Sequence, residues 1–234
     1  MTRLDGWKDL PPLGSAPWYH RFLAICEKIL QQSQESGIPF TKGFFSPLDL
    51  AMALRGEDLY YDFQDDPDGV HSLMSYCADV TIQFASDVYA LARKYLSGYA
   101  LWYIDGKINM SEDISCMISP NTWREFARPY TQRVIDHFGH GYMHTHSRAM
   151  YMVKEICNLN HVAHLWLATD PNQPRPMDCL EQLIEDSHGV CLAIDCEGTG
   201  EIERNYNTIA KGNFSFCLPV CGYEEAVSAI NTIL

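Results

Sequence analysis

From Ile38 onward, short apolar runs alternate along the chain with stretches of helical period, which is the pattern of βα units and a parallel sheet. Strands are predicted near 38–45, 99–104, 141–146, 162–168, 190–195 and 213–220, six in all. Ahead of them, after an aromatic, proline-containing lead, residues 18–31 set Trp18, Phe22, Ile25 and Ile29 at spacings of three and four, the apolar stripe of an amphipathic helix. The helix predicted over 67–97 carries Val70, Leu73, Met74, Cys77, Thr81, Phe84, Val88, Leu91 and Tyr95 on one face. Another, after Pro120, buries Trp123, Phe126, Ala127, Tyr130, Val134 and Phe138. Ser46-Pro47 and Ser119-Pro120 each put a capping hydroxyl ahead of a proline suited to the first helical turn. Gly98, Gly139 and Gly212 stand where left-handed C-terminal caps require glycine.

The chain therefore divides into a helical lead, 1–37, and a βα domain, 38–234. Six βα units fit either an open doubly wound sheet or a β/α barrel. No GxGxxG or GxxxxGKS loop follows any strand, and polar residues gather at several different strand ends, as a barrel's C-terminal mouth requires. Both points favour an α/β fold of the TIM-type β/α barrel kind. It is an incomplete one, because a closed barrel has eight strands.

Composition narrows the function classes. With 30 acidic against 17 basic residues the 234-residue chain carries a formal charge of −13, and no Lys/Arg cluster offers a footprint for phosphates, so nucleic acid is excluded as a partner. The N-terminus has no signal-peptide pattern and no run approaches the ~20 apolar residues of a membrane span. A cytoplasmic protein with no membrane association is expected. Nine cysteines, scattered and without a CxxC pair, are expected as thiols, most of them small core residues.

Candidate chemistry centres on Gly141-Tyr142-Met143-His144-Thr145-His146-Ser147. Residues two apart on a strand share a face, so His144 and His146 project together, and an H-x-H pair at a strand end is a way to hold a divalent metal. The competing reading is a polar strand end with two hydrogen-bonded histidines. Asp170 and Asp195 follow strand ends, where they read equally as substrate-positioning groups or as loop and helix caps, and Arg148 and Arg175 lie near the same mouth. Glu112 and Asp113 end the second unit and offer a general base or an oxygen ligand. His161, His164 and His188 have no partner at ligand spacing.

Several stretches resemble the uroporphyrinogen decarboxylase superfamily. Thr41-Lys42-Gly43-Phe44-Phe45-Ser46-Pro47-Leu48-Asp49-Leu50-Ala51 is similar to its strand-turn-helix ending in "TLA". Asp65-Asp66-Pro67-Asp68 with Val70 resembles its "DPE-x-V" helix start, and Ser119-Pro120 through Arg128-Pro129-Tyr130 resembles its "SPE" to "F-x-x-P-Y" element. The resemblance implies a β/α barrel whose first two strands would lie upstream of the third, where this chain begins. A barrel so shortened leaves apolar interior and strand edges in water, which predicts self-association as a homo-oligomer.

The zinc methyltransferase branch of that superfamily has H-x-C where this chain has His144 and His146, and a further cysteine at the last strand, for which Cys217 is the candidate and Cys221 the alternate. The resemblance then implies zinc on His144, His146 and Cys217, an acceptor thiol, and a methyl group carried by a corrinoid on a partner protein. The alternatives are a decarboxylase acting on a porphyrinogen, and a partial barrel without turnover. The arginine-rich N-terminal signature of the decarboxylases has no counterpart here.

Overall fold

The computed structural model describes residues 1–98 and 104–233. Two compact units make up the chain, Met1–Gly141 and Tyr142–Leu234. Helices and strands alternate in both. The architecture is α/β, with six strands among the described residues, and it is compatible with an incomplete β/α barrel. No helix among the described residues is long and apolar enough to cross a membrane.

The first unit runs α1 (Pro17–Ser36), β1 (Phe44–Phe45), α2 (Pro47–Arg55), α3 (Leu59–Asp65), α4 (Pro67–Ala92), β2 (Lys107–Ser111), α5 (Pro120–Phe126) and α6 (Arg128–Phe138). β1 pairs parallel with β2, Phe44 opposite Met110 and Phe45 opposite Ser111. The 26-residue α4 is its central element, with Val70, Leu73, Met74, Cys77, Ala78, Ala85, Val88 and Tyr89 buried along one side. Both predicted serine caps are made: Ser46 Oγ accepts from the Asp49 N–H at 3.2 Å and Ser119 Oγ from the Thr122 N–H at 3.1 Å. Each such cap stabilises its helix by about 1 kcal/mol.

Several expectations need correction. The strand predicted at 99–104 lies outside the described residues except for Ile104, which is in a turn, and the second strand is Lys107–Ser111 instead. Asp105-Gly106 makes the turn before it, with Gly106 at φ +66°, and Ile108 and Met110 alternate inward. α1 forms, but of its predicted stripe only Phe22 turns inward, while Trp18, Ile25 and Ile29 are 73%, 52% and 46% exposed. The helix docks on α4 through a stripe rotated by one residue, with Tyr19 and Phe22 against Phe84 and with Cys26, Leu30 and Ser33 buried. The helix after Pro120 is two helices that meet at Ala127 (φ −104°, ψ −50°), because Pro129 has no N–H to continue the ladder.

The second unit takes up β3 (His140–His146) at its third residue and continues with α7 (Val153–Cys157), β4 (Val162–Ala168), α8 (Leu180–Ser187), β5 (Cys191–Asp195), α9 (Thr199–Ile209), β6 (Phe214–Cys217) and α10 (Tyr223–Ile233). Its strands stand in chain order, β3-β4-β5-β6. β4 to β5 and β5 to β6 are parallel, with Trp166 opposite Ala193, and Asp195 opposite Cys217. One sheet face is apolar and closed: Met143, Leu165, Leu167, Leu192 and Ile194 are all buried. β6 stops at Cys217, short of the predicted 220, since Pro219 cannot donate to a ladder.

Of the three predicted glycine caps, Gly139 closes α6 at φ +105°, whereas α4 already ends at Ala92 with Arg93 as its cap, so Gly98, at φ +56°, lies in the turn beyond it. Gly212 has no positive φ, and it is glycine for another reason: a Cβ there would sit 2.5 Å from the Phe214 ring and 2.7 Å from Ile184.

Candidate functional site

His144 and His146 share one face of β3, with ring centroids 4.9 Å apart and planes at 68°. The alternation follows from the strand itself, since the preceding Met143 and the intervening Thr145 are buried on the other side. The histidine face extends across the second unit's sheet. His144 lies against Trp166 (4.6 Å between centroids), Tyr142 against His164 (5.6 Å), and Ser215 Oγ is 3.5 Å from His164 Nε2. Trp166 is 41% exposed, so this face is polar, aromatic and open where its opposite is dry. Burial lowers the pKa of His164, which favours its neutral form.

At the C-terminal ends of the strands the backbone gathers around Asp170. One oxygen lies 3.0 Å from His146 Nδ1, and the other accepts from the Arg148 N–H at 3.1 Å. The Asp170 N–H donates to Ser147 Oγ at 2.9 Å, and the preceding Thr169 N–H donates to Asp195 at 3.0 Å. These bonds tie the loop after β4 to the end of β3 on one side and β5 on the other. They also fix the ring of His146. A carboxyl group on Nδ1 selects the tautomer whose Nε2 carries the lone pair, which is how metal-binding histidines are commonly oriented. Ser147 was not singled out from the sequence; its position directly after an H-x-H strand end is the available signal.

Cys217 is placed elsewhere. It ends β6 as an exposed residue, its carbonyl accepting from the Cys196 N–H at 3.0 Å, and partial desolvation of the sulfur together with the charge of Asp195 raises its thiol pKa. Two strands separate it from β3, and at the usual spacing of neighbouring strands the offset is about 14 Å along a flat sheet. Cys221 lies farther on, exposed, its N–H bonded to Glu225 at 2.6 Å. Among the described residues, no cluster of three potential ligand side chains includes either cysteine. The donor set thus fits a metal in its histidine half, oriented by Asp170, and the structure does not bring the thiol half to it.

The two arginines differ in availability. Arg175 makes a bidentate pair with the buried Glu201, at 2.8 and 2.9 Å, and also reaches Glu197 at 3.2 Å. That pairing holds the Glu201 carboxyl below its usual range. Arg148 is exposed, and its backbone N–H anchors Asp170.

In the first unit, Glu112 follows β2 and is fully buried. Trp123 Nε1 donates to it at 3.2 Å and Thr131 Oγ1 at 2.7 Å. Burial, with the nearby charge of Asp49, pushes its pKa up to about 8 despite those two donors. Asp49, also buried, accepts from Ser111 Oγ and from the N–H groups of Asp113 at 3.1 Å and Ile114 at 2.9 Å, so it clamps the turn after β2. Burial raises its pKa too. Asp49 escaped the sequence reading because an acidic residue after a Ser-Pro cap looks like a solvated first-turn charge; its apolar neighbours Leu48 and Ala51 are the clue.

A family model described as uroporphyrinogen decarboxylase (URO-D) matches residues 5–165, which includes His144 and His146 and stops short of Asp170, Asp195 and Cys217. No curated protein matches the chain.

Proposed function

Since the chain belongs to the uroporphyrinogen decarboxylase superfamily, we propose that it is a metal-dependent member of the methyltransferase kind, binding a divalent ion such as zinc through His144 and His146. The observation that carries this reading is the paired rings 4.9 Å apart with Asp170 behind His146 Nδ1. Two imidazoles on one strand face supply half of a tetrahedral zinc sphere, and the carboxyl behind one of them is the usual supporting contact. A divalent ion held there would supply Lewis acidity and lower the pKa of a bound thiol, the chemistry needed to accept a methyl group from a corrinoid on a partner protein.

The chain's own residues would do the rest. Asp170 fixes the ring of His146, Ser147 and Arg148 fix Asp170 through the backbone, and Trp166 lends an apolar wall beside His144. Because Cys217 is not brought to the histidines, the remaining ligand positions of a bound ion would fall to water, substrate or another group, a harder donor set than one that includes thiolates. Decarboxylation of a porphyrinogen, with its many carboxylates, calls for several available cationic groups, and Arg175 is already committed to Glu201.

Metal analysis of untagged protein tests the reading. Near one equivalent of zinc or a similar ion is expected, with affinity falling at low pH as the imidazoles protonate. Protein that is metal-free under non-chelating conditions, and that takes up none on titration with zinc, would exclude the metalloenzyme reading and leave a decarboxylase-like or non-catalytic barrel.

A further inference from the structure

The first unit contains a cavity of about 290 Å³ that the histidine site does not use. Leu13, Tyr19, Phe44, Leu50, Val80 and Phe84 make its apolar wall, and Lys42 stands at its edge. The polar groups around it are otherwise committed. The Tyr19 hydroxyl donates to Asp87, and Thr81 Oγ1 donates to the Phe45 carbonyl at 3.3 Å.

Lys42 is different. It is partly buried, its ammonium donates to the carbonyl of the adjacent Gly43, and it lies 5.0 Å from the centre of the Phe44 ring. No carboxyl group among the described residues pairs with it. A lysine partly withdrawn from water without a carboxylate partner keeps unused donors and an unmet charge, and here both border an apolar cavity.

We infer that this cavity binds a small monocarboxylate with an apolar body, its carboxylate on Lys42 and its aryl or short alkyl part between Phe84, Val80 and Leu50. The volume is near the lower end of small-molecule sites, about 300 Å³, which restricts the body to a single ring or a short chain. The lysine selects the anion over its neutral analogue, because a charge-assisted hydrogen bond is stronger than a neutral one. This inference does not depend on the metal reading.

Calorimetric titration of the full chain with 3-phenylpropionate, and separately with 3-phenylpropan-1-ol, tests it. The expected result is one site per chain, with the acid bound about tenfold or more tightly than the alcohol. Lys42→Met should erase that preference while leaving weak binding of the alcohol, and Val80→Phe, which fills the chamber, should remove binding of both. Equal affinities for acid and alcohol, an unchanged preference in Lys42→Met, or no saturable binding to the wild type would each overturn the proposal. Circular dichroism of both variants checks folding; should Val80→Phe fail to fold, the Lys42→Met titration decides by itself.

Discussion

Glu112 in the first unit and Asp170 in the second occupy corresponding places, each one or two residues past the C-terminal end of a parallel strand. Their surroundings are opposite. Glu112 is fully buried and meets side-chain donors from α5 and α6, Trp123 and Thr131. Asp170 is partly exposed, accepts a backbone N–H and faces an imidazole. Position past a strand end therefore does not assign a role. Burial pushes the pKa of Glu112 up inside a core, while backbone anchoring makes Asp170 a support for a neighbouring side chain.

The largest expected effect tests the first half of that contrast. The pKa of Glu112 is raised in the folded state, from an ordinary 4.5 to about 8, so the folded chain binds this proton more tightly than the unfolded one. Its stabilising contribution is complete below about pH 4.5 and is lost as pH rises through about 8, with a slope approaching about 1.4 kcal/mol per pH unit inside that window. Urea melts of wild type and Glu112→Gln across pH 5 to 8 should show the difference between them carrying this slope. Parallel curves would mean that Glu112 is charged in the fold.

The second unit is tested next by metal affinity. His144→Ala should abolish stoichiometric zinc binding, a loss of more than about 100-fold for one of two protein ligands. Asp170→Asn keeps the shape of the side chain and removes its charge, so affinity should fall by about 10- to 100-fold with the fold intact. If Asp170→Asn bound zinc as well as wild type, the Asp170 contact would be only a loop anchor. The same substitution at Glu112 should leave zinc affinity unchanged, which sharpens the comparison directly.

Smaller effects follow from single contacts. Thr131→Val removes a 2.7 Å hydrogen bond to a buried carboxyl group and should cost about 1–3 kcal/mol in thermal or urea unfolding. His164→Ala should have the least effect of the series, leaving zinc binding as in wild type, since His164 meets Tyr142 and Ser215 rather than the His144–His146 pair. A loss of metal in that variant would extend the site along the sheet.

Local period and turn chemistry carried most of the fold into view. The alternation of helix and strand, the caps at Ser46 and Ser119, and the shared face of His144 and His146 are set by residues within a few positions of each other. Such features depend on backbone stereochemistry and side-chain spacing, which any segment carries with it. What failed was of another kind. α1 offers two apolar stripes one residue apart, and only the docking of Phe84 on α4 decided that Cys26 and Leu30 go in while Trp18 and Ile25 stay out.

The site divides in the same way. The sequence by itself determined that two histidines would stand together at a strand end, because a two-residue strand period allows nothing else. Tertiary structure decided which groups surround them. Asp170 is 24 residues from His146 and reaches it because β4 lies beside β3, whereas Cys217, on a strand two places beyond β4, does not come near. Asp49, Thr131 and Trp123 converge on the turn after β2 by the packing of three helices, and the resulting desolvation of Glu112 raises its pKa. Distance along the chain says little about distance in space once strands are laid side by side, and the charge state of a carboxyl group is set by what else is packed around it.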